Sequence, residues 1–238
     1  MTDLLYYEDS YIKEFESEIA ETYQEENAVS LNRTAFFPGG GGQPSDIGWI
    51  MVDGQKLEVI KVKRVESNIL HYVNDVSSVP NDAMVHGILD WDRRYEIMRT
   101  HTAMHILCGT IWRDYKVSVT GGNMDPGKGR MDFEFDTLTR DMISEIEAKC
   151  NEEIQADKKI RTQIIPRDEA LQIPDLIRTK VNLIPDTVKD IRTVEIIGLD
   201  LQADGGTHVN STSEVGMIKI VDYKSKGAMN KRLYLELE

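Results

Sequence analysis

Long apolar runs are absent from this 238-residue sequence. No stretch approaches the roughly 20 apolar residues that a helix needs to cross a bilayer, so we expect no membrane partner. Residues 1–10 carry acids where a signal peptide has basic residues. The sequence therefore predicts a cytoplasmic protein without an export signal.

Cysteine is scarce, since Cys108 and Cys150 are the only two. Two thiols cannot build a disulfide framework, and their scarcity fits a reducing compartment. The remaining composition, with 40% hydrophobic and 29% charged residues, is typical of a globular protein. At this length the chain can bury a sizeable core in one large domain or in two small ones.

Basic residues are also outnumbered by acidic ones, and the formal net charge is −13. This balance disfavours non-specific binding to nucleic acid, because Lys and Arg drive phosphate binding. The acids are concentrated, however: residues 1–30 contribute −8, which leaves −5 for the other 208 residues. Locally basic stretches occur at 61–64, 93–94 and 224–232. Each of them is either a solvated face or a directed contact with nucleic acid.

Strand-like runs dominate the first 90 residues. The runs at 47–52, 57–62 and 69–73 are rich in β-branched residues and are separated by turn residues. This spacing is typical of a small barrel or sandwich, and we predict a small β-barrel domain over residues 1–90.

A change in composition at residue 90 marks the start of a second predicted domain, 91–238. Asp90 or Asp92 can cap a helix that opens there. The pattern predicts a second helix from about Leu138 to Asp157, short pieces around Pro166, Pro174 and Pro185, and closing strands at 193–197, 216–223 and 231–237. The predicted class is therefore α+β, with an α/β second domain.

Two histidines of the first helix form a candidate metal pair. Residues four apart on a helix lie about 6 Å apart on one face, so His101 and His105 can reach one metal ion. Two histidines in an apolar stripe can instead be hydrogen-bonded core residues. Thr102 stands where zinc peptidases carry a glutamate after the first histidine, which disfavours a peptidase.

A third ligand has to come from another part of the chain. Cys108 lies about 10 Å along the helix from His101, too far for one tetrahedral ion, and is expected in the core. His71 and His86 lie in strand-like segments and are expected at the surface or at an edge. The remaining histidine, His208, ends a Gly-Gly-Thr-His loop in which the glycines permit a sharp turn.

Asp204 precedes this loop and can face the same point as His208. Its carboxylate is a candidate fourth ligand, a partner of a ligand, or a base for an attacking water. The alternative is a hairpin turn with an incidental histidine. We predict a metal site of His101, His105 and His208, with the role of Asp204 open.

Three separated motifs stand in order along the chain: Thr34-Ala-Phe-Phe-Pro38-Gly-Gly-Gly-Gly42-Gln43-Pro44-Ser-Asp46-Ile-Gly48, Arg93-Arg94-Tyr-Glu-Ile-Met-Arg99-Thr-His101-Thr-Ala-Met-His105, and Gly205-Gly206-Thr207-His208. The last two resemble the editing domain of alanyl-tRNA synthetases and the related editing fold of threonyl-tRNA synthetases, and the first resembles the glycine-rich motif that precedes that domain. Their order and span resemble the free-standing editing proteins called AlaX, of the type with an N-terminal glycine-rich domain.

This resemblance implies a trans-editing hydrolase with one Zn²⁺ per chain. The implied substrate is tRNA(Ala) misacylated with serine, and also with glycine. Zinc can serve such a reaction as a Lewis acid or only by positioning the substrate. Two departures stand out, because the family usually has cysteine at the position of Asp204 and often threonine at that of Met104.

Selection of serine over alanine requires a hydrogen bond to the serine hydroxyl, since an apolar pocket discriminates poorly against an added hydroxyl. The resemblance points to Thr34 and to the glycine-rich segment for this contact. The segment's candidate substrate-binding residues are Gly40, Gly41, Gly42 and Gln43. A structural turn between strands is the alternative.

Candidate tRNA contacts are the cations Arg93, Arg94, Lys128 and Arg130 together with the stretch 224–232. Each can equally be a surface ion-pair partner. The acidic residues 1–30 are predicted to face away from the tRNA. Two other functions stay open, a metal-dependent esterase for small molecules and a non-catalytic tRNA-binding module, and so do the monomer and the homodimer.

Overall fold

The structure is a computed structural model that describes residues 2–178 and 188–238. It divides into two compact units, one ending at Tyr95 and the other running from Glu96 to Glu238. The expected α+β class is confirmed. The domain limits 1–90 and 91–238 stay a prediction, and the segment around Pro185 lies outside the described residues.

The described strands are β1 Asp3–Leu4, β2 Glu14–Tyr23, β3 Ala28–Leu31, β4 Arg33–Thr34, β5 Gly48–Val52, β6 Gln55–Val65, β7 Asn68–Val73, β8 Met84–Leu89, β9 Val119–Asp125, β10 Lys128–Phe133, β11 Ile160–Pro166, β12 Asp190–Ile196, β13 Asp200–Ala203, β14 Ile218–Gly227 and β15 Asn230–Leu237. The described helices are α1 Leu5–Glu8, α2 Trp91–Tyr115, α3 Arg140–Gln155 and α4 Arg167–Ala170, with a 3₁₀ turn at Thr212–Val215.

The first unit contains a closed antiparallel barrel of six strands, in the order β2-β3-β7-β6-β5-β8. The predicted β-barrel is thus confirmed. In β2, Glu14 and Glu16 are exposed while Phe15, Ser17 and Ile19 are buried, as the two-residue period of a strand requires. The acidic N-terminal region therefore turns its carboxylates out of the barrel and contributes apolar side chains to its core.

The second unit is built on two antiparallel sheets, in the orders β14-β15-β10-β9 and β11-β12-β13. Helix α3 begins after Thr139, whose hydroxyl accepts the N–H of Met142 at 3.3 Å. Its buried stripe is the predicted one, consisting of Ile143, Ile146, Cys150 and Ile154. Both the existence of this helix and its inward face are confirmed.

Helix α2 carries the candidate metal pair. The carboxylate of Asp90 accepts the N–H of Arg93 at 3.2 Å, so Asp90 acts as the predicted cap. Every residue from Thr100 to Ile111 is buried, which means that this part of the helix is enclosed on all sides rather than along one stripe. In the described part of the chain, no helix is both long and apolar enough to cross a membrane.

Candidate metal centre

Four side chains from two chain segments meet in the second unit. Helix α2 supplies His101 and His105, and the segment after β13 supplies Asp204 and His208. One ligand atom from each lies within 4.8 Å of every other. The rings of His101 and His208 stack with centroids 4.2 Å apart, and the ring of His105 stands edge-on to both. The four residues singled out in the sequence are therefore brought together.

The loop that carries Asp204 and His208 is fixed by Arg192 of β12. The Arg192 guanidinium donates to the carbonyl oxygens of Asp204 and Gly206 at 3.1 and 2.9 Å. Inside the loop, Oδ2 of Asp204 accepts the N–H of Gly206 at 2.8 Å. An aspartate that accepts the N–H two residues ahead forms a turn of its own, so the carboxylate shapes the loop as well as facing the histidines.

Partners of the outer ring nitrogens orient two of the three imidazoles. Nδ1 of His208 lies 3.1 Å from the hydroxyl of Thr102, and Nδ1 of His105 lies 3.5 Å from Oδ2 of Asp200. With Nδ1 turned outward, Nε2 of each ring is the nitrogen left to face the cluster. Such outer partners fix the tautomer and the ring orientation of metal-binding histidines.

Burial sets the charge of two of the three rings, whereas in His105 the loss of solvation is outweighed by Asp200 and Asp204, which raise its pKa. Loss of solvation lowers the pKa of His101 well below its ordinary value and that of His208 to about 4. Both rings are therefore neutral near pH 7, which is the form that binds metal.

The donor set fits a divalent cation. Zinc accepts imidazole nitrogen and carboxylate oxygen at about 2.0–2.2 Å, in tetrahedral groups of four. The rings of His101, His105 and His208 and the carboxylate of Asp204 offer one ligand atom each around one point, and a cation there would bind all four. The four residues can hold one metal ion.

Met104, one of the two departures from the family, is buried at 4% exposure. Its sulfur and methyl lie against Gly129 and Gly122 of the β10–β9 pair, where a Cβ added to either glycine would come within about 3 Å. The side chain thus fills the space over two glycines of the sheet.

Thr34 and the glycine-rich segment belong to the first unit. The backbone of Gly40 and Gln43 exchanges two hydrogen bonds of 3.0 and 2.9 Å, and Gly40, Gly41 and Gly42 all have positive φ, a conformation that favours glycine. The segment is therefore a tight turn. Its role in substrate binding stays a prediction.

The prediction for His71 was wrong, because this residue is completely buried rather than at the surface or an edge. Its Nδ1 lies 3.2 Å from the carbonyl oxygen of Val29, and its Nε2 lies 2.8 Å from the hydroxyl of Thr34. A carbonyl only accepts, so Nδ1 carries the proton and Nε2 accepts from Thr34. His86 is half-exposed between Glu14 and Glu16, as expected for a strand residue at the surface.

Arg94 needs a correction among the candidate tRNA contacts. Its side chain is completely buried in the first unit, where the guanidinium bonds to Asp46 at 2.7 Å and to the carbonyl oxygen of Ala35. A guanidinium enclosed in this way is not available to a phosphate. Arg93 is half-buried, with one donor 3.4 Å from the carbonyl oxygen of Ser45.

The other candidate cations lie on the β9–β10–β15–β14 sheet and have acidic neighbours. Lys128 pairs with Glu236 at 3.0 Å, and Arg130 lies 3.9 Å from Asp132. These pairs agree with the ion-pair alternative, and their contact with tRNA stays a prediction.

Sequence analysis did not identify two residues beside the cluster: Asp200, and Thr102, whose hydroxyl orients His208. The motif Asp200-x-Gln202-x-Asp204 places three polar side chains on one face of a strand and its extension. That alternation was the available signal for Asp200.

Comparison with known families relates both units to tRNA synthetases. Residues 191–234 match the threonyl and alanyl tRNA synthetase second additional domain. Residues 4–93 match the tRNA synthetases class II (A) family.

Individual relatives match along almost the whole chain. The alanyl-tRNA editing protein AlaX-M of Saccharolobus solfataricus is 40% identical over 236 residues, which cover 98% of each chain. The protein of the same name from Methanosarcina acetivorans is 36% identical, with 100% of this chain and 99% of the relative covered. The alanine–tRNA ligase of Pyrococcus furiosus is 35% identical over 223 residues, which are 92% of this chain but 24% of the ligase.

Proposed function

We propose, since the chain belongs to the AlaX-M family of alanyl-tRNA editing proteins, that it hydrolyses the aminoacyl ester of misacylated tRNA(Ala). The enzyme class is aminoacyl-tRNA hydrolase. Seryl-tRNA(Ala) is the proposed main substrate and glycyl-tRNA(Ala) a second one. The observation that carries this proposal is the cluster of His101, His105, Asp204 and His208 in a chain that aligns with editing proteins from end to end.

The chemistry asks little of the protein, because the aminoacyl ester is a labile bond. A site must orient water, stabilise the oxyanion that develops in the transition state, and hold the ribose end. Zn²⁺ held by the three histidines would supply a Lewis acid.

Both carboxylate oxygens of Asp204 face the cluster, and one of them is also engaged in the loop. Oδ2 accepts the Gly206 N–H and lies 3.0 Å from Nε2 of His208, whereas Oδ1 lies 3.7 Å from Nε2 of His101. We propose Oδ1 as the fourth ligand atom or, when water completes the site, as the acceptor of the water's proton.

Thr34 is the proposed contact for the serine hydroxyl. Its own proton is committed to His71, and its oxygen accepts the N–H of Phe36 at 3.1 Å. Thr34 is completely buried, so this contact requires the serine side chain of the substrate to enter the core beside it. There one lone pair of the Thr34 oxygen remains, which can accept a hydrogen bond from a hydroxyl that donates. Serine has such a hydroxyl and alanine lacks it.

The proposed tRNA contacts are Arg93, Lys128, Arg130 and the stretch 224–232. An open cavity of about 360 Å³ lies on the outer sheet of the second unit, between Lys128, Arg130 and Tyr234. We also propose that residues 1–30 face away from the tRNA and that the enzyme works in the cytoplasm.

Release of serine from seryl-tRNA(Ala), measured with and without a metal chelator, tests the function. We expect rapid deacylation that the chelator removes and added zinc restores, while correctly charged alanyl-tRNA(Ala) survives as the matched control. Cleavage of small esters without cleavage of seryl-tRNA would support an esterase instead. Binding of tRNA without hydrolysis of either would support a non-catalytic module.

A further inference from the structure

A second carboxylate, the buried Asp200, lies behind the cluster of His101, His105, Asp204 and His208. It is 5% exposed, and its Oδ2 lies 3.5 Å from Nδ1 of His105, just beyond the ordinary range of a hydrogen bond. Two other side chains hold the carboxylate: Gln202 donates to Oδ2 at 2.5 Å and Arg178 to Oδ1 at 3.3 Å. Asp200 is therefore fixed in place with one oxygen turned towards His105.

The spacing of strand β13 against helix α2 explains this placement. Four residues of an extended strand span about 13 Å, and eight residues of a helix span about 12 Å. The strand and its extension therefore match two helical turns, so that Asp204 faces His101 at one end while Asp200 reaches Gly109 at the other. Between the two ends, the Gln202 amide lies 3.4 Å from the sulfur of Cys108.

Gly109 is the residue that admits the second carboxylate. A Cβ at this position would lie 2.8 Å from the Cβ of Asp200 and 3.3 Å from its Cγ, so any larger residue would force the strand away from the helix. Since Gly109 is one helical turn after His105, the space that it leaves is where a partner of the outer nitrogen of His105 must stand.

We propose that Asp200 positions His105 for metal binding, by accepting the Nδ1 proton and holding Nε2 towards the cluster, and that Gly109 makes this approach possible. This inference rests on the proposed metal site, but not on the identity of the tRNA substrate. Asp200 is a positioning residue, because it acts on the site through His105.

Zinc affinity, measured by competition with a chromophoric chelator in the absence of tRNA, tests this inference. Removal of an outer partner of a metal-binding histidine typically lowers affinity by about 10–100-fold, and we expect that loss for Asp200→Ala. Asp200→Asn should lose less, because the amide oxygen can still accept from Nδ1. Asp132→Asn is the matched control: its carboxylate is also buried, but it pairs with Arg232 instead of a histidine.

A second pair of variants separates positioning from general damage to the fold. Gly109→Ala should also lower zinc affinity, and the double variant Gly109→Ala/Asp200→Ala should bind zinc as weakly as Asp200→Ala alone, since the glycine acts through the aspartate. Gly121→Ala is its control, because an added Cβ there would lie 3.8 Å from its nearest neighbour. Nitrogen-15 NMR of the zinc-loaded wild type should show Nδ1 of His105 protonated.

The outcomes distinguish this inference from the proposed function. Unchanged zinc affinity in a folded Asp200→Ala variant would overturn the inference alone, and so would additive losses in the double variant. A wild type that takes up no zinc would overturn it together with the metal site. A third result is a protein that binds zinc in a way that depends on Asp200 and yet leaves seryl-tRNA intact. That result would support the role of Asp200 and would contradict the proposed substrate.

Discussion

Both units bury polar side chains, but they satisfy them differently. In the barrel unit two buried groups have complementary partners: the guanidinium of Arg94 meets the carboxylate of Asp46, and the ring of His71 lies between a carbonyl and a hydroxyl. In the second unit three imidazoles face one another and a single carboxylate, with His101 and His208 stacked at 4.2 Å.

This difference separates a structural polar pair from a chemical site. A buried donor matched to an acceptor stabilises the fold without any further group. Three imidazoles and a carboxylate with ligand atoms around one point form a set that a single divalent cation can bind. Burial of a histidine is therefore common to both units, and what distinguishes the candidate metal centre is the convergence of four ligand atoms on one point.

The largest effect is expected from removing a ligand. His101→Ala or His208→Ala should lower zinc affinity by more than about 100-fold, because a ligand contributes more than its outer partners do, and should abolish deacylation. Metal analysis of the purified proteins measures this, with His86→Ala as the control at a histidine outside the cluster. If both ligand variants kept their zinc, these histidines would be buried structural residues like His71, and the second unit would have no metal site at this cluster.

Breaking the barrel's ion pair should come next. Asp46→Ala leaves the completely buried Arg94 without its partner, and such a change typically costs about 3–5 kcal/mol of the free energy of unfolding. Urea denaturation measures the loss, and Glu25→Ala, at an exposed turn, should change it by less than about 0.5 kcal/mol. A small loss in Asp46→Ala would mean that water reaches Arg94 and that this pair is not enclosed.

Thr34→Val tests whether the buried pair of Thr34 and His71 only stabilises the barrel or also contacts the substrate. One hydrogen bond contributes about 0.5–1.5 kcal/mol, so the preference for seryl- over alanyl-tRNA(Ala), as a ratio of kcat/KM, should fall up to about tenfold while zinc content stays the same. Unchanged selectivity in Thr34→Val would make Thr34 a structural residue and would remove the proposed serine contact.

Local periodicity was sufficient for much of this site. The helical spacing of His101 and His105 is a property of one element, and the strands near 47–52, 57–62 and 69–73 follow from their composition and turns. The alternation in residues 14–19 predicts β2 equally well, but acidic residues on its outer face obscured it. Such features depend on neighbours in sequence, and they are recoverable from it.

Features that depend on distant partners were not recoverable. Arg94 looked like a surface cation because Asp46, which buries it, lies 48 residues earlier in the chain. His71 was misplaced for the same reason, since its partner Thr34 is on another strand. Gly109 and Asp200 meet only through the spacing of a strand against a helix, which no local pattern records.

The smallest expected effect concerns His71 and His86, the two histidines of the barrel, whose contributions to the free energy of unfolding should depend on pH in opposite directions. Burial lowers the pKa of His71 to about 4, so its contribution to stability is complete above the unfolded value near 6.5 and is lost as the pH falls towards 4. Hydrogen bonds to Glu16 and Glu14 raise the pKa of the half-exposed His86. Its contribution is therefore complete below about 6.5 and is lost as the pH rises through the raised value.

Because the ion pairs of His86 with Glu14 and Glu16 are exposed, their contribution to the free energy of unfolding should stay below about 1 kcal/mol. Denaturation curves of wild type and His86→Gln from pH 5 to 9 measure it, and the variant should lose only the decline above pH 6.5. The decline below pH 6.5 should persist in the variant, because it belongs to the buried histidines whose pKa values are lowered, His71 in the barrel and His101 and His208 in the second unit. If His86→Gln removed the acid decline instead, the buried and the exposed histidine would have exchanged roles, and burial would no longer explain the difference in their pKa values.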